Sequence, residues 1–381
     1  MQTSTHYNTI VIGVGSMGSS AIWHLAKRGQ KVLGLEQFTT PHERGSHGGQ
    51  TRIIRKAYFE HPDYVPLLER AYENWRSFES ETAQKFFHRT GIVYFGRVDN
   101  ENITGIRRSA DLYNIAIENP APDKVKREYP QFLIPSDFVA VIERDAGFVT
   151  PEHALRSYVN EAVRNGAVVK ENTLVSEWRQ EGTKVRVITL EDEYVADNLI
   201  ITAGAWTARL VPRLNIRLQV TRQLIAWVRP CDPSIFQIGK FPCWFVEDPV
   251  LGTFYGFPIF QDNGGPLGIK LAHHHPGVAC EADDTLENIP GEDEMLKWFL
   301  RKYIPAAGDN IIHTKHCLYT YSPDTHFIID HLPGYDNRVV VACGFSGHGF
   351  KFVPVMGEAL ADLATKGSTD LPVGFLGVNR F

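Results

Sequence analysis

The chain has 381 residues, 43% hydrophobic and 22% charged, with a net charge of -5; this fits about two domains of an ordinary soluble globular protein and gives no electrostatic reason for a nucleic-acid or anionic-membrane partner. No apolar run approaches the roughly 18 residues of a membrane span, and five cysteines without a C-x-x-C pair point away from a disulfide framework or a cysteine zinc site. With a first strand expected near Tyr7 and no peroxisomal address in Val378-Asn379-Arg380-Phe381, the expected location is cytoplasmic.

An apolar run from Tyr7 to Ile12 leads into Gly13-Val14-Gly15-Ser16-Met17-Gly18, then a helical stretch and a second apolar run closed by Glu36. Strand, glycine loop, helix, strand and acid, in that order, make a dinucleotide fingerprint. Gly13 permits the tight turn, Gly15 lets backbone approach a pyrophosphate, and Gly18 lets the helix lie close on the strand. The helix N-terminus offers free N–H groups. Glu36 is placed to accept from ribose hydroxyls, and an acid rather than an arginine there leaves FAD or NAD.

The polar, glycine-rich stretch from Thr39 to Gln50 has no apolar period and reads as a loop. Leu68, Ala71, Tyr72, Trp75 and Phe78 recur at helical spacing after Pro62. Gly91 to Phe95 reads as a strand and Asn102 to Glu118 as a helix. A helix from Pro151 to Asn165 has Thr150 as N-cap, Pro at its first position and Gly166 as its stop. Strands around Val168, Val175, Val187 and Tyr194 lead to Asn198 to Thr202.

Between Arg217 and Lys270 the pattern changes to short β-branched and aromatic runs: Gln219 to Val228, Trp244 to Val246, Thr253 to Phe257 and Leu267 to Leu271. These predict a mixed or antiparallel sheet. A helix from Glu292 to Tyr303, strands near His313 to Tyr319 and Arg338 to Cys343, and a helix from Phe350 to Thr365 complete the chain. The expected fold is α/β (α+β overall): a Rossmann-like nucleotide domain of residues 1–85, 146–216 and 320–381, with a second, antiparallel-sheet substrate domain of residues 86–145 and 217–319.

Several residues could carry chemistry. Arg52 and Arg55 lie three apart, about one turn if their segment is helical, and arginines near a cofactor loop commonly grip carboxylates or phosphates; surface arginines beginning a helix are the plainer reading. Lys270 interrupts an apolar strand, as an edge lysine would. His273-His274-His275 suggests a metal, but adjacent strand residues point to opposite faces, and no metal is expected. Cys317 reads first as a small buried hydrophobe. Gly344-Phe345-Ser346-Gly347-His348-Gly349-Phe350-Lys351 forms a second glycine-rich turn entering a helix, and Lys351 opposes the dipole preference there, which hints at an anionic ligand. No G-x-S-x-G, H-E-x-x-H or P-loop supports a hydrolase or kinase.

Taken together, these motifs resemble the monomeric sarcosine oxidase and N-methyltryptophan oxidase family of flavoproteins over nearly the whole chain. The resemblance rests on Val11-Ile12-Gly13 to Gly18, Pro41-His42 with Gly45-Ser46-His47, Thr51-Arg52 to Arg55, Tyr64-Val65-Pro66-Leu67, Ala203-Gly204-Ala205-Trp206, Tyr255-Gly256-Phe257-Pro258, Lys270-Leu271, Cys317 with Tyr319, Phe327-Ile328-Ile329-Asp330 and Gly344 to Phe352. It implies FAD joined by a thioether to Cys317, substrate carboxylate binding by Arg55 and Lys351, Arg52 against the flavin face, and Lys270 near flavin N5 assisting oxygen. Tyr255, His274 and Tyr319 match residues lining the family's substrate cavity. Cofactor contacts are expected at Gly13, Gly15, Ser16, Met17, Gly18, Glu36, Ser46, Thr51, Arg52, Val175, Cys317, Gly344, Gly347, His348, Gly349 and Lys351. The family's loop usually reads G-S-H-H-G-D-T-R; here Gly48 replaces the second histidine and Gln50 the acid. That departure bears on the substrate more than on the chemistry.

The resemblance implies an FAD-dependent oxidase of N-methyl, secondary α-amino acids, with sarcosine or a bulkier relative such as N-methyltryptophan as substrate, acting as a monomer. The products would be formaldehyde, the demethylated amino acid and hydrogen peroxide. Alternatives are a cyclic imino-acid oxidase of the pipecolate or proline type, a dehydrogenase not using oxygen, and a flavin-binding protein without turnover. The protein's share of the work is to orient the C–H bond, place fixed cations where negative charge forms, and leave electron transfer to the flavin.

Overall fold

The N-terminal βαβ unit is present as the strand His6–Ile12, the helix Ser16–Lys27 and the parallel strand Val32–Leu35. The computed structural model describes residues 6–261, 264–274 and 277–381. The first sheet runs in the order Ile328–His331, Val339–Cys343, Glu193–Ile201, His6–Ile12, Val32–Leu35 and Val168–Lys170, and an antiparallel pair, Val175–Glu181 and Lys184–Thr189, extends it beside Glu193–Ile201. Winding reverses at His6–Ile12, whose parallel neighbours are Val32–Leu35 and Glu193–Ile201. Loops leaving Ile12 and Ile201 therefore part, opening a crevice at the carboxyl ends of the strands where such sheets bind ligands.

Helices Ser16–Lys27, Val65–Thr82, Pro151–Arg164 and Val353–Lys366 share a core on one face of this sheet. The spacing predicted for the second of them holds: Leu68, Ala71, Tyr72, Trp75 and Phe78 are all buried, and Phe78 stacks on Tyr158 at 3.9 Å between ring centroids. Each such large side chain contributes about 1.5–3 kcal/mol on burial.

In the second sheet the order is Val278–Ala279, Gln219–Val228, Ile269–His273, Gly252–Phe257, Cys243–Asp248, Ile92–Arg97 and Phe138–Glu143, with Ile311–Tyr321 also paired to Gln219–Val228. Its pairs are antiparallel except Cys243–Asp248 with Ile92–Arg97, which is parallel, so the sheet is mixed. The helix Glu294–Tyr303 covers one face, stacking Phe299 on Trp244. Cys317, Tyr319, Tyr255 and Phe245 lie together on the other.

A small third sheet of Arg52–Ile54, Gly147–Val149 and Phe87–Arg89 corrects one expectation. Arg52 and Arg55 are not one helical turn apart; they flank an extended segment, where an odd separation sends side chains to opposite faces. Lys270 is no edge lysine either, because its strand lies between Gln219–Val228 and Gly252–Phe257. The helix expected to reach Glu118 ends at Tyr113, since Asn114 takes the left-handed conformation that stops helices; Glu118 instead bridges to Ile142. Thr150 caps by position without a side-chain hydrogen bond. The last helix opens as a 3-10 turn, Phe350–Phe352, that holds Lys351. Among the described residues no helix is long and apolar enough to cross a membrane.

Candidate active site

The glycine loop after Ile12 is shaped by close approaches. Gly13 has φ +88°, and a Cβ there would stand 2.6 Å from the Thr202 carbonyl oxygen; a Cβ at Gly18 would strike the Gly13 carbonyl oxygen. At Gly15 a Cβ would meet no atom of the described residues beyond its chain neighbours within 4 Å, so the loop is open on that side. Helix Ser16–Lys27 begins there with no side-chain cap, leaving first-turn N–H groups to an anion. Buried Glu36 closes the cradle, its Oε2 accepting the Val14 N–H at 2.9 Å and its Oε1 the Phe38 N–H at 3.1 Å. Burial raises its carboxyl above the ordinary value against the pull of these donors.

Beside this cradle lies a cavity of about 1690 Å³ including its open mouth. Its wall brings together Gly13, Gly15, Ser16, Met17, Glu36 and Val175 with Ser46, Arg52, Arg55, Tyr255, His274 and Tyr319, and with Gly344, Gly347, His348, Gly349 and Lys351. Gly18, Thr51, Lys270 and Cys317 lie outside that lining. Phe245, Tyr255, His274 and Tyr319 form an aromatic box, with neighbouring ring centroids about 5.8–6.3 Å apart, and the two tyrosine hydroxyls are 3.4 Å apart.

Two buried cations flank the Tyr58 ring: the Arg55 guanidinium at 4.3 Å and the Lys351 ammonium at 5.1 Å from its centroid. Arg55 is already engaged. Its Nη2 donates to both carboxylate oxygens of Glu60 at 2.7 Å, and its Nη1 to the Ala57 carbonyl at 3.2 Å. Burial would raise the Glu60 carboxyl, but Arg55, His348 and Lys351 outweigh it and hold it below the ordinary value. Lys351 donates to the His348 carbonyl at 2.6 Å; burial first and Arg55 second lower its ammonium to about 7, against Glu60. His348 bonds the Tyr58 hydroxyl at 2.6 Å through Nδ1.

The loop before Arg52 is pinned from inside. The Lys270 ammonium donates to the carbonyls of Gly49 at 2.7 Å and Thr51 at 2.6 Å. Arg52 donates to the carbonyls of Ser46, Gly48 and Thr51, and the Glu152 carboxylate accepts from the N–H groups of Gly49 and Gln50. Cys317 is buried, two residues from Tyr319 and on the same strand face.

Three observations fit FAD in this cavity: the uncapped first turn, the open side of Gly15, and buried His47 Nε2, a wall residue's polar atom without a partner among the described residues. They suit an anionic, hydrogen-bonding ligand of dinucleotide length. Of the histidine run, His274 lines the cavity, His273 bonds the Leu251 carbonyl, and His275 lies outside the described residues. Among the described residues no group of His, Cys, Asp and Glu could hold a metal.

Tyr58, Glu60, Phe245 and Glu152 were not singled out by sequence. Glu60 lies five residues from Arg55 in a segment without periodicity, and Glu152 reads as an ordinary first-turn acid. Only burial reveals them.

Residues 8–363 match the family described as FAD dependent oxidoreductase. The chain is 37% identical over 380 residues to monomeric sarcosine oxidase of Streptomyces avermitilis, covering 99% of this chain and 98% of the relative. It is 34% identical over 382 residues to N-methyl-L-tryptophan oxidase of Salmonella dublin, covering 98% and 99%. Among solved structures, NikD, an unusual amino acid oxidase essential for nikkomycin biosynthesis, superposes with a TM-score of 0.86 at 25% identity, covering 98% of each chain. L-proline dehydrogenase from P. horikoshii shares the fold, with a TM-score of 0.84 at 23% identity, covering 99% and 98%. The chain belongs to the FAD dependent oxidoreductase family.

Proposed function

We propose that this FAD-dependent oxidoreductase is an oxidase of N-methyl α-amino acids, sarcosine or a bulkier relative, acting at the carbon next to nitrogen. Full-length likeness to monomeric sarcosine oxidase and N-methyl-L-tryptophan oxidase supports the reading. The observation that carries it is a pair of buried cations on one cavity wall, Arg55 and Lys351, of which only Arg55 is ion-paired among the described residues, to Glu60; the other buried carboxylate that feels Arg55, Glu143, spends its oxygens on the Lys56 and Ala57 N–H groups. Burial first and the charge of Arg55 second lower the Lys351 ammonium to about 7, against the pull of Glu60. A substrate carboxylate supplies a further anion for this pair, and the buried Arg55 Nε, unpartnered among the described residues, offers it a donor. Charge-assisted hydrogen bonds of this kind are worth about 1.5–3 kcal/mol each.

Held by its carboxylate, the substrate would present its amine and methyl group to the box of Phe245, Tyr255, His274 and Tyr319, which limits rotation and excludes water. Bound FAD supplies two-electron acceptance from the C–H bond next to nitrogen and reoxidation by dioxygen, giving an imine that hydrolyses to formaldehyde and the demethylated amine, with hydrogen peroxide. In this reading Arg52 and Lys270 hold the loop at Ser46 to Thr51 and face the place where negative charge develops, Arg52 as a fixed cation and Lys270 as an ammonium that burial and Arg52 hold well below its ordinary value until that negative charge favours its protonation. Cys317 is the attachment point for the flavin, and the two large sheets belong to the flavin and substrate domains divided as the sequence suggests. Five cysteines, all free, suit a cytoplasmic location.

The test is a screen of N-methyl and cyclic amino acids for peroxide release, with anaerobic mixing to see whether substrate bleaches the yellow flavin. Bleaching and peroxide with an N-methyl amino acid are expected. Bleaching without peroxide would make the protein a dehydrogenase, and neither would make it a flavin-binding protein.

A further inference from the structure

Gly48 stands where the family's loop usually carries a second histidine, and its empty side is filled from another strand. A Cβ on Gly48 would lie 2.9 Å from the Lys315 ammonium and 3.0 Å from its Cε, with no other atom of the described residues beyond its chain neighbours within 4 Å. Lys315 is a strand residue paired with Ile225, and its side chain is only 18% exposed. Its sole carboxylate partner among the described residues is Glu43, itself 83% exposed; a solvated partner of this kind holds a lysine weakly. A lysine at such a site ordinarily reaches outward to water. This one lies over the glycine instead, in room that any side chain at 48 would take.

Two residues further along the strand, on the same face, comes the Cys317 sulfur, and then Tyr319 on the cavity wall. Among the described residues the other charged or titratable groups facing Cys317 are Arg52 from the small third sheet, Lys270 from the strand on the far side of Gln219–Val228, and Tyr255, Tyr319 and Tyr321. Arg52 and Lys270 are both committed to main-chain carbonyls. Lys315 makes no hydrogen bond of that kind among the described residues.

We propose that Lys315 is a positioning residue for flavin attachment: its ammonium, seated over Gly48 on the Cys317 face of the strand, joins Arg52 and Lys270 in favouring the thiolate form of Cys317. This rests on the reading that Cys317 carries the flavin. In the attachment the Cys317 sulfur loses its proton and bonds to the 8-methyl carbon, which loses one hydrogen. The two electrons pass through the ring system to dioxygen, so thiol, methyl group and dioxygen become thioether and one hydrogen peroxide. Burial raises the Cys317 thiol above its ordinary value, and Arg52, Lys270 and Lys315 oppose that rise without cancelling it. Only the thiolate is nucleophilic, so losing one of the three cations slows attachment.

The experiment adds FAD in air to full-length, flavin-free chain and follows two readouts from pH 6 to 9: total bound yellow absorbance, and the fraction that stays in the pellet after acid precipitation. Lys315→Met is expected to bind FAD but attach it about tenfold more slowly, with the pH profile moved up by about one unit. Lys315→Arg, which keeps the charge, should attach at close to the wild-type rate. Gly48→Ala keeps Lys315 but pushes its ammonium away, and should also slow attachment; it decides the matter if Lys315→Met takes up no FAD. Cys317→Ser should leave all colour in the supernatant. A wild-type chain that binds FAD yet never retains it after acid overturns the attachment reading itself. Retention in the wild type with an unchanged rate and profile in Lys315→Met, or in Gly48→Ala where that variant decides, overturns the role of Lys315.

Discussion

Arg55 holds Glu60 through a single nitrogen: both carboxylate oxygens lie 2.7 Å from Nη2, while Nε stays buried and unpartnered among the described residues. The pair therefore both neutralises Arg55 and leaves one of its donors for a ligand. Removing either partner strands a buried charge, whereas removing both does not.

Arg55→Met should cost about 3–5 kcal/mol of stability through the orphaned Glu60, and lower kcat/KM for N-methyl amino acids about ten- to a hundredfold. Adding Glu60→Gln should restore the stability and not the activity. Thermal melts and steady-state kinetics on the two variants check this. Recovery of activity in the double variant would remove Arg55 from the carboxylate site.

The Lys351 ammonium, lowered to about 7 by burial and Arg55, is charged below that pH and neutral above it. Affinity for a carboxylate competitor should thus be full below pH 7. Above pH 7 it should fall by up to about tenfold per unit, until the raised pKa of the complex is passed. Lys351→Met should bind weakly with a flat profile. Titrations of the flavin spectrum from pH 6 to 9 measure both, and a flat wild-type profile would contradict the assignment.

Lys270→Met should slow reoxidation of reduced flavin far more than its reduction by substrate, because only the oxygen step creates superoxide-like negative charge next to the lysine. It also strips a donor from the Gly49 and Thr51 carbonyls, at about 1–3 kcal/mol for each group left unpaired. Stopped-flow absorbance separates the half-reactions. Equal slowing of both would mean that Lys270 acts only by holding the loop.

Gly15→Ala and Gly18→Ala should fail differently. A methyl at Gly15 meets no atom of the described residues within 4 Å beyond its chain neighbours, whereas one at Gly18 strikes the Gly13 carbonyl and comes within 2.7 Å of Thr202 Oγ1. Gly15→Ala should fold normally and lose FAD uptake, since the methyl occupies the side left open to the pyrophosphate. Gly18→Ala should lose fold stability, by about 1–3 kcal/mol or more, because overpacked backbone cannot give way. Melting and flavin titration of the unloaded proteins separate the outcomes.

The βαβ unit, the cradle glycines and Glu36 were legible because their signals are local: strand and helix periods, a tight turn, and an acid at fixed spacing all follow from sterics within a few residues. The helix Val65–Thr82 and the helix beginning at Pro151 were legible for the same reason. The end of the helix at Asn114 was not, since a left-handed asparagine leaves no mark in an apolar period. Nor was the extended backbone between Arg52 and Arg55, which pairing with Gly147–Val149 imposes from nearly a hundred residues away.

By itself the sequence determined the class of fold, the end of the chain that cradles a nucleotide, and which residues are worth suspecting. Tertiary structure alone decided what those residues do with their hydrogen bonds. Lys270 belongs to the carbonyls of Gly49 and Thr51 and Arg55 to Glu60, while Lys315, which nothing in the sequence singled out, fills the space over Gly48. Periodicity and spacing carry information along the chain, but a buried charge is settled by whatever the sheets bring to it, and those partners are chosen by long-range strand register that no local pattern encodes.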